Sequence, residues 1–298
     1  MKTKLLLISL LCIGLLSCEK DNKRENDKNS SNNQENVNGE EGENGSSDEN
    51  VKYPQGAIKG VFSVSGTKKV AFSQGNLQYQ ASTDTWRFAE HQYDFIGYAN
   101  ISSIYTGWID LFGWGTGYNP TNASEDNEDY LTFVDWGVNK ISNGGNVLNA
   151  WFTLSIGEWV YLLEYRPNAS AKQGVACVNG INGLVLLPDN WKLPSGVHFT
   201  SAFAGKDGYE YYKTVNTYTA SEWILMGEAG AVFLPAAGER YGTSMNNVGT
   251  DGYYWTSEYD DSDRVCFVSF GSVDLGLGIY YDRLNRISVR LCSEISSK

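Results

Sequence analysis

Beyond residue 52 this sequence predicts an α+β fold with few helices and many long loops. Three observations predict it. Residues 58–88 alternate apolar and polar positions, two capped helical stretches begin near residues 155 and 219, and short apolar runs recur from residue 183 towards the C-terminus.

In residues 58–88 the pairs Phe62/Val64, Val70/Phe72, Leu77/Tyr79 and Trp86/Phe88 each sit two apart. That is the period of a half-buried strand. Ser65-Gly66 and Gly75-Asn76 supply turn chemistry between them, so an antiparallel β-meander is expected over about 56–96. Residues 97–150 are rich in Gly, Asn and Trp and show no sustained period. Such a stretch reads as packed or functional loops. Ser155 and Glu158 have the spacing of a capping box ahead of WVYLL, and Pro167 stops the run. Thr219 and Glu222 repeat the pattern ahead of WILM, with Gly227 ending it. Capping accounts for both carboxylates, so their spacing carries no catalytic pair. Residues 183–188 (GLVLLP) echo residues 230–235 (GAVFLP), each a short strand ended by proline. Three further strands are expected at 253–257, 264–270 and 287–291.

The N-terminus carries a different signal. Lys2 and Lys4 precede an apolar run from Leu5 to Leu16, followed by Ser17 and Cys18. A basic start, a short apolar core and a small residue before the cut make a secretory signal over residues 1–17. The run is also well short of the roughly 20 residues that span a bilayer as a helix. The tetrapeptide Leu15-Leu16-Ser17-Cys18 resembles a lipobox, which implies lipidation of Cys18 and a membrane partner held through that lipid anchor. Residues 18–52 are then expected to form a disordered acidic tether, with Val37 and Val51 as the apolar residues past Cys18. Its acidic start resembles the export signals of Bacteroidetes-type lipoproteins, which implies an outer-membrane protein at the cell surface.

About 246 residues remain from Tyr53 to Lys298, expected as a globular α+β domain. The chain's net charge of -12 repels phosphate backbones and argues against nucleic acid as a partner. With 19 Tyr and 9 Trp, rings serve either as core or as a recognition face. Cys177, Cys266 and Cys292 allow at most one disulfide, and their spacing matches no zinc pattern. The acidic cluster Glu125, Asp126, Glu128 and Asp129 lacks the alternating oxygens and central glycine of a calcium loop. A solvated tip fits it better. No metal, cofactor or catalytic residue is therefore expected, and the chain reads as a binding protein rather than an enzyme.

Several motifs together resemble a family of bacterial surface lipoproteins with a C-type-lectin-like fold. They are the capped Glu158-Trp159 helix, residues 184–191 (LVLLPDNW), 230–238 (GAVFLPAAG), 252–257 (GYYWTS) and 288–291 (SVRL). The resemblance places the C-type-lectin-like region at about 97–292. It extends to the variable proteins of diversity-generating retroelements and to formylglycine-generating enzymes. The Glu-Pro-Asn or Gln-Pro-Asp and Trp-Asn-Asp triplets of calcium-dependent sugar binders are missing from the sequence. In retroelement-diversified proteins the ligand contacts lie on the last strands and loops. The resemblance therefore implies a binding face for a protein or glycan ligand built from Trp255, Tyr259, Asp260, Asp261, Asp263, Tyr280, Tyr281, Asp282 and Arg283. Two alternatives stay open: an oxidase of the formylglycine-generating type using Cys266 and Cys292, and an adhesive component of a surface fibre.

Overall fold

A computed structural model describes residues 51–97, 105–201, 210–259 and 264–296. The expected signal peptide, Cys18 and nearly all of the tether lie outside the described residues. The architecture is mixed α+β: short helices among small, mostly antiparallel sheets, with no closed barrel.

The first strands are β1 (Phe62–Ser63), β2 (Lys69–Phe72), β3 (Leu77–Gln80), β4 (Thr85–Phe88), β5 (Trp108–Ile109) and β6 (Leu111–Phe112). They do not form one meander. The pairs β1–β2 and β3–β4 are separate antiparallel hairpins in different sheets. Between them Ser73 N donates to Leu291 O and Leu77 N donates to Val289 O. The backbone where β2 would turn back onto β3 is thus committed to a segment more than 200 residues away. Local alternation specifies a strand but not its partner.

Helix α1 (Ile156–Val160) opens with both halves of its capping box made, and a single π-turn continues it to Tyr165. It buries Trp159, Leu162 and Leu163 against Phe62, Phe72, Leu184 and Leu234. Next come β7 (Gln173–Val178), β8 (Ile181–Leu186), α2 (Glu210–Val215), β9 (Thr217–Tyr218), α3 (Ala220–Glu228) and β10 (Val232–Pro235). The two echoing strands are neighbours: β8 pairs antiparallel with β10, Leu186 opposite Val232 and Gly183 opposite Pro235. The second capping box, at Thr219, is also complete. Helix α3 runs through Gly227 and stops ahead of Gly230, whose φ of 93° lies in the left-handed region.

The Thr219 N–H, and then its hydroxyl, hold the Glu222 carboxyl below the usual carboxylate range. Folding lowers this pKa, so the stabilisation is present above the unfolded value of about 4.3 and fades as pH falls through the folded value. In acid titrations followed by circular dichroism, Glu222→Gln should lose stability less steeply below that point than the parent. Superimposable acid limbs would show that the carboxylate is not held.

The remaining strands are β11 (Glu239–Tyr241), β12 (Ser244–Asn246), β13 (Gly252–Tyr259), β14 (Val265–Phe270), β15 (Leu275–Tyr281), β16 (Ile287–Ser288) and β17 (Cys292–Glu294). One sheet runs β15-β14-β13-β16-β6, and β17 closes the β1–β2 hairpin into three strands. The irregular, Trp-rich segment packs Trp114 and Trp136 inward and leaves Tyr118 exposed. Trp114, Trp136 and Trp151 join Trp86, Trp255, Phe112 and Val289 in one core. Among the described residues no helix is long and apolar enough to cross a membrane.

Candidate recognition face

The end of β13 and the turn after β15 meet the loop that follows β6. Tyr259, the last residue of β13, is 62% exposed, and its ring stands edge-on to Trp114 at 5.8 Å. Trp114 is buried and held from two sides. Its Nε1–H donates to Thr256 O at 3.1 Å, and its backbone N–H donates to Arg283 O at 3.2 Å. The Arg283 guanidinium lies 5.9 Å from the same ring, within cation–π range. Asp282 is exposed beside it. Asn127 bridges this turn to the acidic loop: its Oδ1 accepts from Arg283 N at 3.1 Å, and its Nδ2 makes a long 3.5 Å contact with Asp282 Oδ1.

Not every residue expected on the face reaches the surface. Trp255 is buried and donates from Nε1 to Phe112 O at 2.6 Å, and Arg283 is 3% exposed. Both belong to the support of the face. Strand β13 is buried on both faces at Tyr254–Thr256, with Tyr254 in one core and Trp255 in another. A β-bulge follows: the β13–β14 register runs from Trp255↔Phe267 to Tyr259↔Val265, so β13 carries two extra residues there. Strict alternation would put Trp255 and Tyr259 on one side of the strand, and the bulge re-aims the end. The backbone of Tyr280 and Tyr281 pairs with Cys266 and Val265. Asp260, Asp261 and Asp263 lie outside the described residues.

The acidic cluster is anchored to this region. Asp126 caps a short 3-10 turn over Asn127–Tyr130. Arg286, 3% exposed, donates to the carbonyls of Asn122 and Ser124 at 3.2 and 3.3 Å and lies 3.4 Å from the Tyr130 hydroxyl. Arg240 forms a β-bridge with Arg286, and burial, then the neighbouring Arg286 charge, lowers its pKa to about 10. The loop thus lies on a buried guanidinium. Among the described residues no group of three His, Cys, Asp or Glu is placed to hold a metal ion.

Cys177, Cys266 and Cys292 are buried, and none is in a disulfide. Cys292 packs with Phe72 and Trp159, and burial pushes its thiol well above the usual range. The thiolate is the form that binds metal and attacks electrophiles, and this environment opposes it.

Trp114 and Asn127 carry much of the geometry and were not singled out by sequence. The available signal was the Gly-rich run 113–118 (GWGTGY). Gly115, at φ 66°, brings the backbone against Phe133, where an added Cβ would stand 2.7 Å from the Phe133 Cα. Comparison with family models, with curated proteins and with solved structures finds no match to this chain.

Proposed function

We propose that this chain is a lipid-anchored, surface-exposed ligand-binding protein of C-type-lectin-like architecture, tethered through Cys18 to the outer membrane. The observation that carries the recognition role is the Tyr259–Asp282 rim on its Trp114–Arg283 support. An amphipathic ring and a carboxylate stand exposed on a frame of buried aromatics, hydrogen-bonded backbone and the bulged end of an inner strand. Tyr gives large contact area at low entropy cost, and a charged neighbour sets orientation and excludes wrong partners. Asp260, Asp261, Asp263, Tyr280 and Tyr281 flank this rim in sequence and complete the proposed face, whose ligand is a protein or a glycan. The binding role is also favoured over oxidase chemistry by the neutral, core-bound thiol of Cys292.

Two measurements test the two halves of this reading. The full chain, expressed in cells fed an alkyne palmitate analogue, should take label at Cys18; a Cys18→Ala chain that still labels would sink the anchor. On protein and glycan arrays, a hit for the full chain should weaken at least about tenfold in the Tyr259→Ala/Asp282→Ala double variant, equivalent to about 1.4 kcal/mol. Both side chains are exposed, so thermal stability should hold. A hit that ignores both changes places recognition elsewhere.

A further inference from the structure

A second candidate site lies where the sequence flagged nothing. The turn at residues 90–93, the segment 57–59 and one flank of α3 enclose a cleft of about 570 Å³. That volume is within the roughly 300–1,000 Å³ typical of ligand pockets. None of its lining residues belongs to the Tyr259 rim.

The walls are firmly placed. Gln92 is buried, and its side chain stitches the turn to the core. Its Oε1 accepts from Phe233 N at 2.7 Å and Arg290 Nη2 at 3.1 Å, while its Nε2 donates to Ala231 O at 3.0 Å. His91 and Tyr93 project from the same turn as a stacked pair, 5.1 Å apart and 11° from parallel. The His91 ring nitrogen Nδ1 lies 3.1 Å from Asp94 Oδ2. Helix α3 contributes Trp223 and the exposed Ile224.

Three properties of the lining define what it would accept. Glu90 and Glu228 are exposed, and among the described residues no cation lies within ion-pair distance of either. Lys59 sets one positive charge against these two. Ile58 and Ile224 supply apolar surface to the same cleft. Trp223 is 4% exposed, and its indole Nε1–H is buried with no acceptor. Its ring is packed against Tyr218 and Phe233, so it forms a fixed wall of the cleft whose indole signal reports on what fills it.

We propose that this cleft binds a basic side chain of a peptide or protein partner. The alkyl stem of an arginine or lysine lies along Ile58 and Ile224, and its cationic head faces Glu90 and Glu228. The His91–Tyr93 stack offers a π face to a guanidinium. A phosphorylated or otherwise anionic ligand would meet two carboxylates against the single Lys59 charge and is disfavoured.

The test is a titration of the full chain with N-acetyl-arginine methylamide, read by nuclear magnetic resonance at the Trp223 indole N–H signal. Trp223→Phe assigns that signal. It should move on addition of the arginine probe. The N-acetyl-citrulline counterpart, neutral but nearly isosteric, should bind at least about fivefold more weakly. Glu90→Gln/Glu228→Gln should weaken the arginine probe to the citrulline level, whereas Tyr259→Ala should leave it unchanged. A stationary Trp223 signal overturns the proposal. So does equal binding of the two probes, an arginine response that survives the double Gln variant, or an equal shift produced by lactose.

Discussion

A Gly137→Ala chain is expected to lose about 3 kcal/mol of stability, the upper end of the range for overpacking. Gly137 sits in a 3-10 turn over Trp136–Val138, and a Cβ there would fall on the carbonyl oxygen of Trp151. That obstacle is backbone, so no rotamer change relieves it. The surroundings leave little room to shift. Asp135 caps the turn by accepting from Gly137 N at 2.9 Å, and the same carboxylate accepts from Thr153 N at 2.8 Å. Asn149 N donates to Gly137 O at 3.0 Å, and Trp136 and Trp151 are both core rings. For a domain of this size the loss corresponds to roughly 2–4 °C in Tm per kcal/mol. Denaturant melts would check it. A variant within about 0.5 kcal/mol of the parent would show that the two segments can separate at little cost.

Trp114→Ala should have the larger functional effect. Truncating a buried tryptophan typically costs about 3–5 kcal/mol. Here it would also strip Tyr259 of its edge contact, Arg283 of its π face and Thr256 O of its donor. Binding at the Tyr259 rim should fall below detection while binding of the arginine probe to the cleft survives. Trp114→Phe separates the two roles of the ring. It keeps an aromatic body under Tyr259 but loses the indole N–H, so about 1 kcal/mol should go with binding largely kept. If Trp114→Ala folds and still binds like the parent, the rim is not the recognition surface.

The two capped helices were legible because an N-cap closes within four residues. Ser155 with Glu158, and Thr219 with Glu222, needed no partner from elsewhere in the chain. The echoing runs ended by Pro188 and Pro235 were legible as strands, and their shared pattern fits their pairing across one sheet. Strand β15 was not legible. Its residues LGLGIYY carry two glycines, which weaken a strand signal, and Gly278 is the bulged residue between Phe267↔Ile279 and Val268↔Leu277, at φ 67°. Helix α2 was also missed; it is a six-residue element beside β9, too short for a helical period to repeat.

The binding face shows the same division. Tyr259 and Asp282 were picked for their residue types and are exposed; Trp255 and Arg283 were picked for the same reason and are buried. Composition names groups able to bind, while burial depends on what arrives from other parts of the chain. Trp114 comes from a loop more than 140 residues before Tyr259, and no period in that loop announces it. The cleft beside α3 has even less local signature, since its walls come from residues 57–59, 74, 90–93 and 220–228.

By itself, the sequence determined several short-range features of this protein: where the two capped helices start, that several alternating or apolar runs are extended, that the class is α+β, and that many rings must pack together. Each rests on hydrogen bonds or alternation within a few residues. Only the tertiary structure decided which strands pair, that residues 73–77 run against 289–291 instead of folding back, and which aromatics face solvent. Those outcomes come from contacts far apart in the chain: Trp255 is buried by rings from residues 86–151, and a two-residue bulge after it re-aims the strand end that exposes Tyr259.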